Sequence, residues 1–232
     1  MKKILIPVTN HATLGTTDQA NGTYSPEITH AIDVFNKHGV DYDIASINGG
    51  AIPIYGTDIE GDDVNAAVLN NEDFKQRTSN SMRASNVNID EYDAVFYPGG
   101  FGLLSDLASN EDFAKLSAAH YENGGIIGAV CHGPAALLPI KLSNGEDLIA
   151  SKAITGFTRE EEVDYGTIND IPFLLEEALA RKAAKFSKVQ PWNVHVIEDE
   201  RVITGQNPAS AHAVAEAIAV SYTHLRAHET RL

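Results

Sequence analysis

The sequence predicts an α/β fold, a doubly wound parallel sheet sandwiched by helices, and three observations predict it. Strand-like and helix-like segments alternate from Lys3 to Leu138, a pattern that calls for right-handed crossovers. The strand candidates are short, unbroken apolar runs, as in strands buried on both faces of a parallel sheet. Two chemically distinctive turns, Pro98-Gly99-Gly100 and Cys131-His132, directly follow strands, at the carboxyl edge where such sheets hold their sites.

Taken in order, Lys3 to Val8 is the opening buried strand, and the polar stretch Thr9 to Tyr24 is a long loop of the kind kept for function. Ser25-Pro26 starts a helix with Ser as its cap and Pro in the first helical position. Ile28, Ala31, Ile32 and Phe35 fall at i, i+3, i+4 and i+7, so one face is buried, and Lys37-His38-Gly39 ends it. Glu27 lies in the first turn, where spacing alone reads it as a surface carboxylate favoured by the helix dipole. Asp41 to Ile47 is a second strand. Asn48 to Asp90 is polar and weakly periodic, a cap-like insertion with a thin helix over Glu72 to Ala84.

Tyr92 to Tyr97 returns to strand and runs into Pro98-Gly-Gly-Phe-Gly102. The glycine pair lets backbone N–H groups face a bound group, as an oxyanion hole needs, or serves only as a tight turn. Asn110 to Asn123 is an amphipathic helix leading to the strand Ile126 to Val130. Cys131-His132-Gly133-Pro134 then turns the chain into what reads as a new helix, which would set the Cys131 sulfur near a helix N-terminus that favours a thiolate. An isolated cysteine is more often a small buried hydrophobe, but strand, sharp turn and helix together describe a nucleophile elbow.

Beyond the elbow, Ala153 to Phe157 reads as a short strand. Thr158 and Glu161 have capping-box spacing at the start of the Arg159-Glu-Glu-Glu162 run. Ile171 to Phe186 reads as helix, Val194 to Glu198 and Arg201 to Gly205 as strands around an Asp-Glu turn, and Asn207-Pro208 as the cap of a last helix packed through Ala211, Val214, Ala215 and Ile218.

At 232 residues and 43% hydrophobic, the chain reads as one domain over 1–220, with 48–90 as its insertion. Ser221 to Leu232 gathers His and Arg in an otherwise acidic chain and reads as a non-native tail. A formal charge of -15 argues against non-specific nucleic-acid binding and against an anionic membrane. One cysteine forms no intrachain disulfide, and no apolar run reaches the ~18 residues of a membrane span. The expected compartment is the cytoplasm.

Ala129-Val-Cys-His-Gly-Pro-Ala, Thr155-Gly-Phe-Thr, Pro191-Trp192 and Thr204-Gly-Gln-Asn-Pro-Ala-Ser-Ala211, in this order, resemble the ThiJ/PfpI superfamily, most closely its heat-shock chaperone and glyoxalase III subgroup, the glutathione-independent D-lactate dehydratases. The resemblance implies a flavodoxin-like fold, also seen in class I glutamine amidotransferases, and a homodimer. It places the nucleophile on Cys131 and its partner on His132. The triad acid falls on Glu162, five residues after Phe157, and the proton shuttle on Glu27. Gly99 and Gly100 fall in the oxyanion turn with Phe101, which stands where the family has His and offers neither ligand nor proton; no metal and no cofactor are expected. The implied substrate is methylglyoxal or a related small 2-oxoaldehyde. The rival readings are a stress chaperone holding unfolded clients and a cysteine peptidase or amidase. A thiolate at neutral pH would also make Cys131 prone to peroxide.

Overall fold

The computed structural model describes the backbone of residues 3–229 and the side chains of residues 3–221. The chain runs β1 (Lys3–Val8), β2 (Thr23–Tyr24), α1 (Ser25–Lys37), β3 (Tyr42–Ser46), β4 (Ile54–Tyr55), α2 (Asp63–Leu69), α3 (Glu72–Ser79), β5 (Met82–Arg83) and β6 (Tyr92–Tyr97). It continues through α4 (Gly102–Ser105), α5 (Glu111–Glu122), β7 (Ile126–Val130), β8 (Ala153–Ile154), α6 (Arg159–Tyr165), α7 (Leu175–Lys182), β9 (Lys185–Phe186), β10 (Val196–Asp199), β11 (Val202–Gly205) and α8 (Ala211–Glu229).

Seven strands form the central sheet in the order β10-β11-β7-β6-β1-β3-β5. Every pairing in it is parallel except the β10–β11 hairpin at one edge. The order reverses between β1 and β6, so the crevice at their carboxyl ends is the switch point where such sheets bind ligands. The doubly wound expectation is met.

Consecutive strand residues face opposite layers, and β6 shows what that does. Phe96 meets Phe35 of α1 edge-on with ring centroids 5.9 Å apart, on the face that α8 also covers. Tyr97 points to the other layer and bonds Ser117 of α5 at 2.7 Å. Both rings are fully buried. Truncating either to Ala would cost about 3–5 kcal/mol by the usual cavity arithmetic.

Several local expectations change. Ser25 does not cap α1; its hydroxyl, with that of Thr29, bonds Asn65 Oδ1 in the insertion. The insertion holds two short helices rather than one, and Met82–Arg83 leaves it to pair with β3 at the sheet edge. Only Ala153–Ile154 of the 153–157 stretch is strand, paired with β9 outside the central sheet. The 171–186 helix contracts to α7, because Pro172 and the turn beside it delay its start. Asn207 caps nothing: a single 3-10 turn at Pro208–Ser210 precedes α8. The backbone of α8 continues through Ser221 to Glu229, while Thr230 to Leu232 of the expected tail lie outside the described residues. Among the described residues no helix is long and apolar enough to cross a membrane.

Candidate active site

The site is built on the carboxyl ends of β6 and β7. Cys131 takes φ of 60°, a left-handed conformation that a residue with a Cβ adopts only when its surroundings fix it. Two backbone bonds do so: its N–H donates to Gly205 O at 3.0 Å, and its carbonyl accepts from the Phe157 N–H at 2.9 Å. Gly133 is required beside it, because a Cβ there would collide with the Tyr97 carbonyl. The elbow is therefore real, but the chain leaves it as a five-residue 3-10 turn, Gly133–Leu137, and not as the α-helix expected.

Burial pushes the Cys131 thiol well above its usual range, and the adjoining Glu27 carboxyl pushes it the same way. The His132 N–H, bonded to the sulfur, offsets only part of this. These influences run against the thiolate expected at neutral pH and favour the neutral thiol.

A histidine stands beside it. His132 Nδ1 lies 3.4 Å from Cys131 Sγ, and His132 Nε2 lies 2.7 Å from Glu162 Oε1, all three side chains being buried. With Glu162 accepting the Nε2–H, the Nδ1 lone pair faces the thiol. Thr167 Oγ1 donates to the other Glu162 oxygen and fixes the carboxylate. The glutamate run thus divides its labour. Glu160 faces solvent and pairs with Lys188, Glu161 completes the Thr158 capping box, and Glu162 alone reaches the histidine.

Glu27 is not a surface carboxylate. It is fully buried in the first turn of α1, where the Gly99 N–H donates to Oε2, while Oε1 has no hydrogen-bond partner. Burial raises its pKa from 4.5 to about 8, against a smaller opposing effect of the thiol and the Gly99 N–H. The Gly99 N–H, expected in the oxyanion turn, is thus taken up by Glu27. Position 99 must be glycine, since a Cβ would strike Glu27 Oε2 and crowd Cys131. The next turn is held by Asn21, whose Oδ1 accepts the Phe101 N–H at 3.2 Å, which gives the long Thr9 to Tyr24 loop a task.

Phe101 is buried against His132, ring centroids 4.4 Å apart, and Phe157 flanks the same imidazole at 4.5 Å. Around the thiol these rings leave a cavity of about 60 Å³, completed by Tyr24, Tyr55, Tyr165, Trp192 and Pro208. Sequence reasoning missed the tyrosines. Tyr55 comes from the polar insertion and nothing in its spacing marks it; Trp192 carried a signal in Pro191-Trp192, though not one that located it.

Cys131, His132, Glu162 and Glu27 thus meet in one buried cluster at the switch point of a flavodoxin-like sheet. The chain matches the DJ-1/PfpI family over residues 19–220, and it belongs to that family. It is similar to the Saccharomyces cerevisiae protein named glutathione-independent glyoxalase HSP31, at 31% identity over 92% of this chain and 95% of that one. It is also similar to glyoxalase 3 of Candida albicans, at 29% identity over 96% and 99%. Among solved structures, the Francisella tularensis rapid encystment protein of 24 kDa superposes with a TM-score of 0.91 at 36% identity, covering 96% of this chain and 99% of that one. Glyoxalase III of Candida albicans gives 0.83 at 28%, covering 95% and 97%.

Proposed function

We propose that this protein is a glutathione-independent glyoxalase, a lyase-type enzyme that converts methylglyoxal or a related small 2-oxoaldehyde to the 2-hydroxy acid through Cys131. The observation that carries the reading is a carboxyl group with a pKa near 8, one oxygen unpartnered, beside a thiol in a cavity of about 60 Å³. That is the equipment for moving a proton between adjacent carbons of a very small substrate.

His132 Nδ1 takes the thiol proton as Sγ attacks the aldehyde carbon, giving a hemithioacetal. The N–H groups of Gly100 and His132 stabilise the alkoxide, which the imidazolium then protonates. Glu27, as carboxylate, removes the hydrogen from the former aldehyde carbon to form an enediolate and returns it to the neighbouring carbon, while the hydroxyl proton passes from the first oxygen to the second. The first carbon is thereby oxidised to a thioester and the second reduced to an alcohol, so no external oxidant is needed. Water, deprotonated by His132, cleaves the thioester and restores the thiol. Glu162 keeps the imidazole in the required tautomer throughout.

The small, ring-walled cavity favours a small substrate over a peptide segment. It gives the chaperone reading little support either, since Ile59 is the only large apolar side chain that the insertion exposes among the described residues. The homodimer stays part of the proposal, following the resemblance to the superfamily. The test is D-lactate formation from methylglyoxal by the purified chain with glutathione omitted. A folded protein that leaves methylglyoxal unchanged would refute the proposal.

A further inference from the structure

Trp192, which lines the cavity, and Glu161, which binds it, take no part in the proposed chemistry. Glu161, fully buried beside the triad acid, accepts five hydrogen bonds. Its Oε2 serves Thr158, and its Oε1 gathers Trp192 N–H at 2.9 Å, Asn207 Nδ2 at 2.8 Å and Gln206 Nε2 at 3.1 Å. Trp192 has φ of 65°, which a bulky side chain rarely adopts. The bond from its N–H to Glu161 holds it there, and Nε1 reaches toward Asp164 at 3.4 Å. The indole lies 5.7 Å from Phe157 and 6.3 Å from Tyr165. It is 41% exposed, whereas Phe157 behind it is 3% exposed. The strained residue is thus the outer wall of the cavity, tied to the helix that carries Glu162.

We infer that Trp192, positioned by Glu161, sets the upper size limit of what reaches Cys131: the indole closes the cavity beyond Phe157, admitting a 2-oxoaldehyde with a one-carbon substituent and rejecting one with an aromatic ring. This deepens the glyoxalase proposal, yet the gate is testable without turnover, because Cys131 is the only cysteine in the chain.

The test uses two reagents with one warhead, iodoacetamide and its N-phenyl analogue iodoacetanilide, and follows alkylation of the full chain by intact mass. In Trp192→Ala the ratio of iodoacetanilide to iodoacetamide rates should rise about tenfold over wild type, and in Trp192→Phe it should rise less, as expected when a pocket wall is removed or trimmed. Glu161→Gln, which turns an amide group toward one of its two donor sets, should raise the ratio while leaving Trp192 in the chain. Should that variant fail to fold, Trp192→Ala still decides, since its side chain is partly exposed. An unchanged ratio in Trp192→Ala with a wild-type melting profile overturns the inference. In turnover, the kcat/KM ratio of phenylglyoxal to methylglyoxal should rise by a similar factor in Trp192→Ala. A wild type that makes no lactate while the alkylation ratio shifts removes the lyase proposal and leaves the gate standing.

Discussion

Replacing Glu27 by Gln removes one titrating group while nearly keeping its shape, so its effect on stability should depend on pH in a way fixed by burial. In the folded protein the carboxyl ionises near 8, and in the unfolded chain near 4.5. A folded-state pKa that is raised means that the folded form holds a proton which the unfolded form releases. The stability of the wild type is therefore undiminished below pH 4.5, declines as pH rises above it, and stops declining above about 8. Each pH unit in that window is worth ~1.4 kcal/mol, so between pH 5 and pH 8 the wild type should lose about 3 kcal/mol relative to Glu27→Gln. The Cys131 thiol adds nothing in this window, since its raised pKa lies beyond an unfolded value of 9.0. For a chain of this size ~1 kcal/mol moves the melting midpoint by roughly 2–4 °C. Circular-dichroism melts of both proteins at pH 5 and pH 8 should thus show Glu27→Gln gaining roughly 6–12 °C on the wild type at the higher pH. A gap that is the same at both values, or a less stable variant at pH 8, would show that Glu27 is not a buried, protonated acid.

The same carboxyl sets the activity profile. Because proton removal from carbon needs the carboxylate, kcat/KM for methylglyoxal should climb from pH 6 toward pH 9, with its midpoint belonging to the Glu27–Cys131 pair rather than to either group; a profile that falls over this range contradicts the assignment. Glu162→Gln, which leaves His132 free to adopt the wrong tautomer, should lower kcat by about 10²–10⁴-fold with little change in KM, as measured by steady-state lactate formation. Iodoacetamide should alkylate Cys131 more slowly at pH 7 than it alkylates a free cysteine, and the rate should rise into the alkaline range; fast reaction at pH 7 would restore the resting thiolate that the structure argues against.

What the sequence disclosed and what it withheld divide along physical lines. The β7 run and the amphipathic face of α1 were legible because burial on a fixed period leaves a pattern in a single segment. Cys131 was legible because an elbow needs a local string of residue types. Glu27 and Glu162 were not, for nothing within their own helices distinguishes a solvated first-turn carboxylate from one folded against a thiol. Only resemblance separated them from Glu160 and Glu161. The electrostatics of the thiol are hidden for the same reason: they depend on burial and on Glu27, which is remote in sequence. Tyr55 and the strand at Met82 stayed hidden because the insertion is held by side-chain bonds such as Ser25–Asn65 and His30–Asp62, which have no periodicity.

The central claim is that Cys131 captures the aldehyde and Glu27 performs the next step, and Glu27→Gln separates the two. Incubated with methylglyoxal, that variant should be protected at Cys131 from iodoacetamide, because the hemithioacetal forms, and should release no lactate, because the proton cannot move. An unprotected cysteine, or lactate appearing at the wild-type rate, would contradict the account.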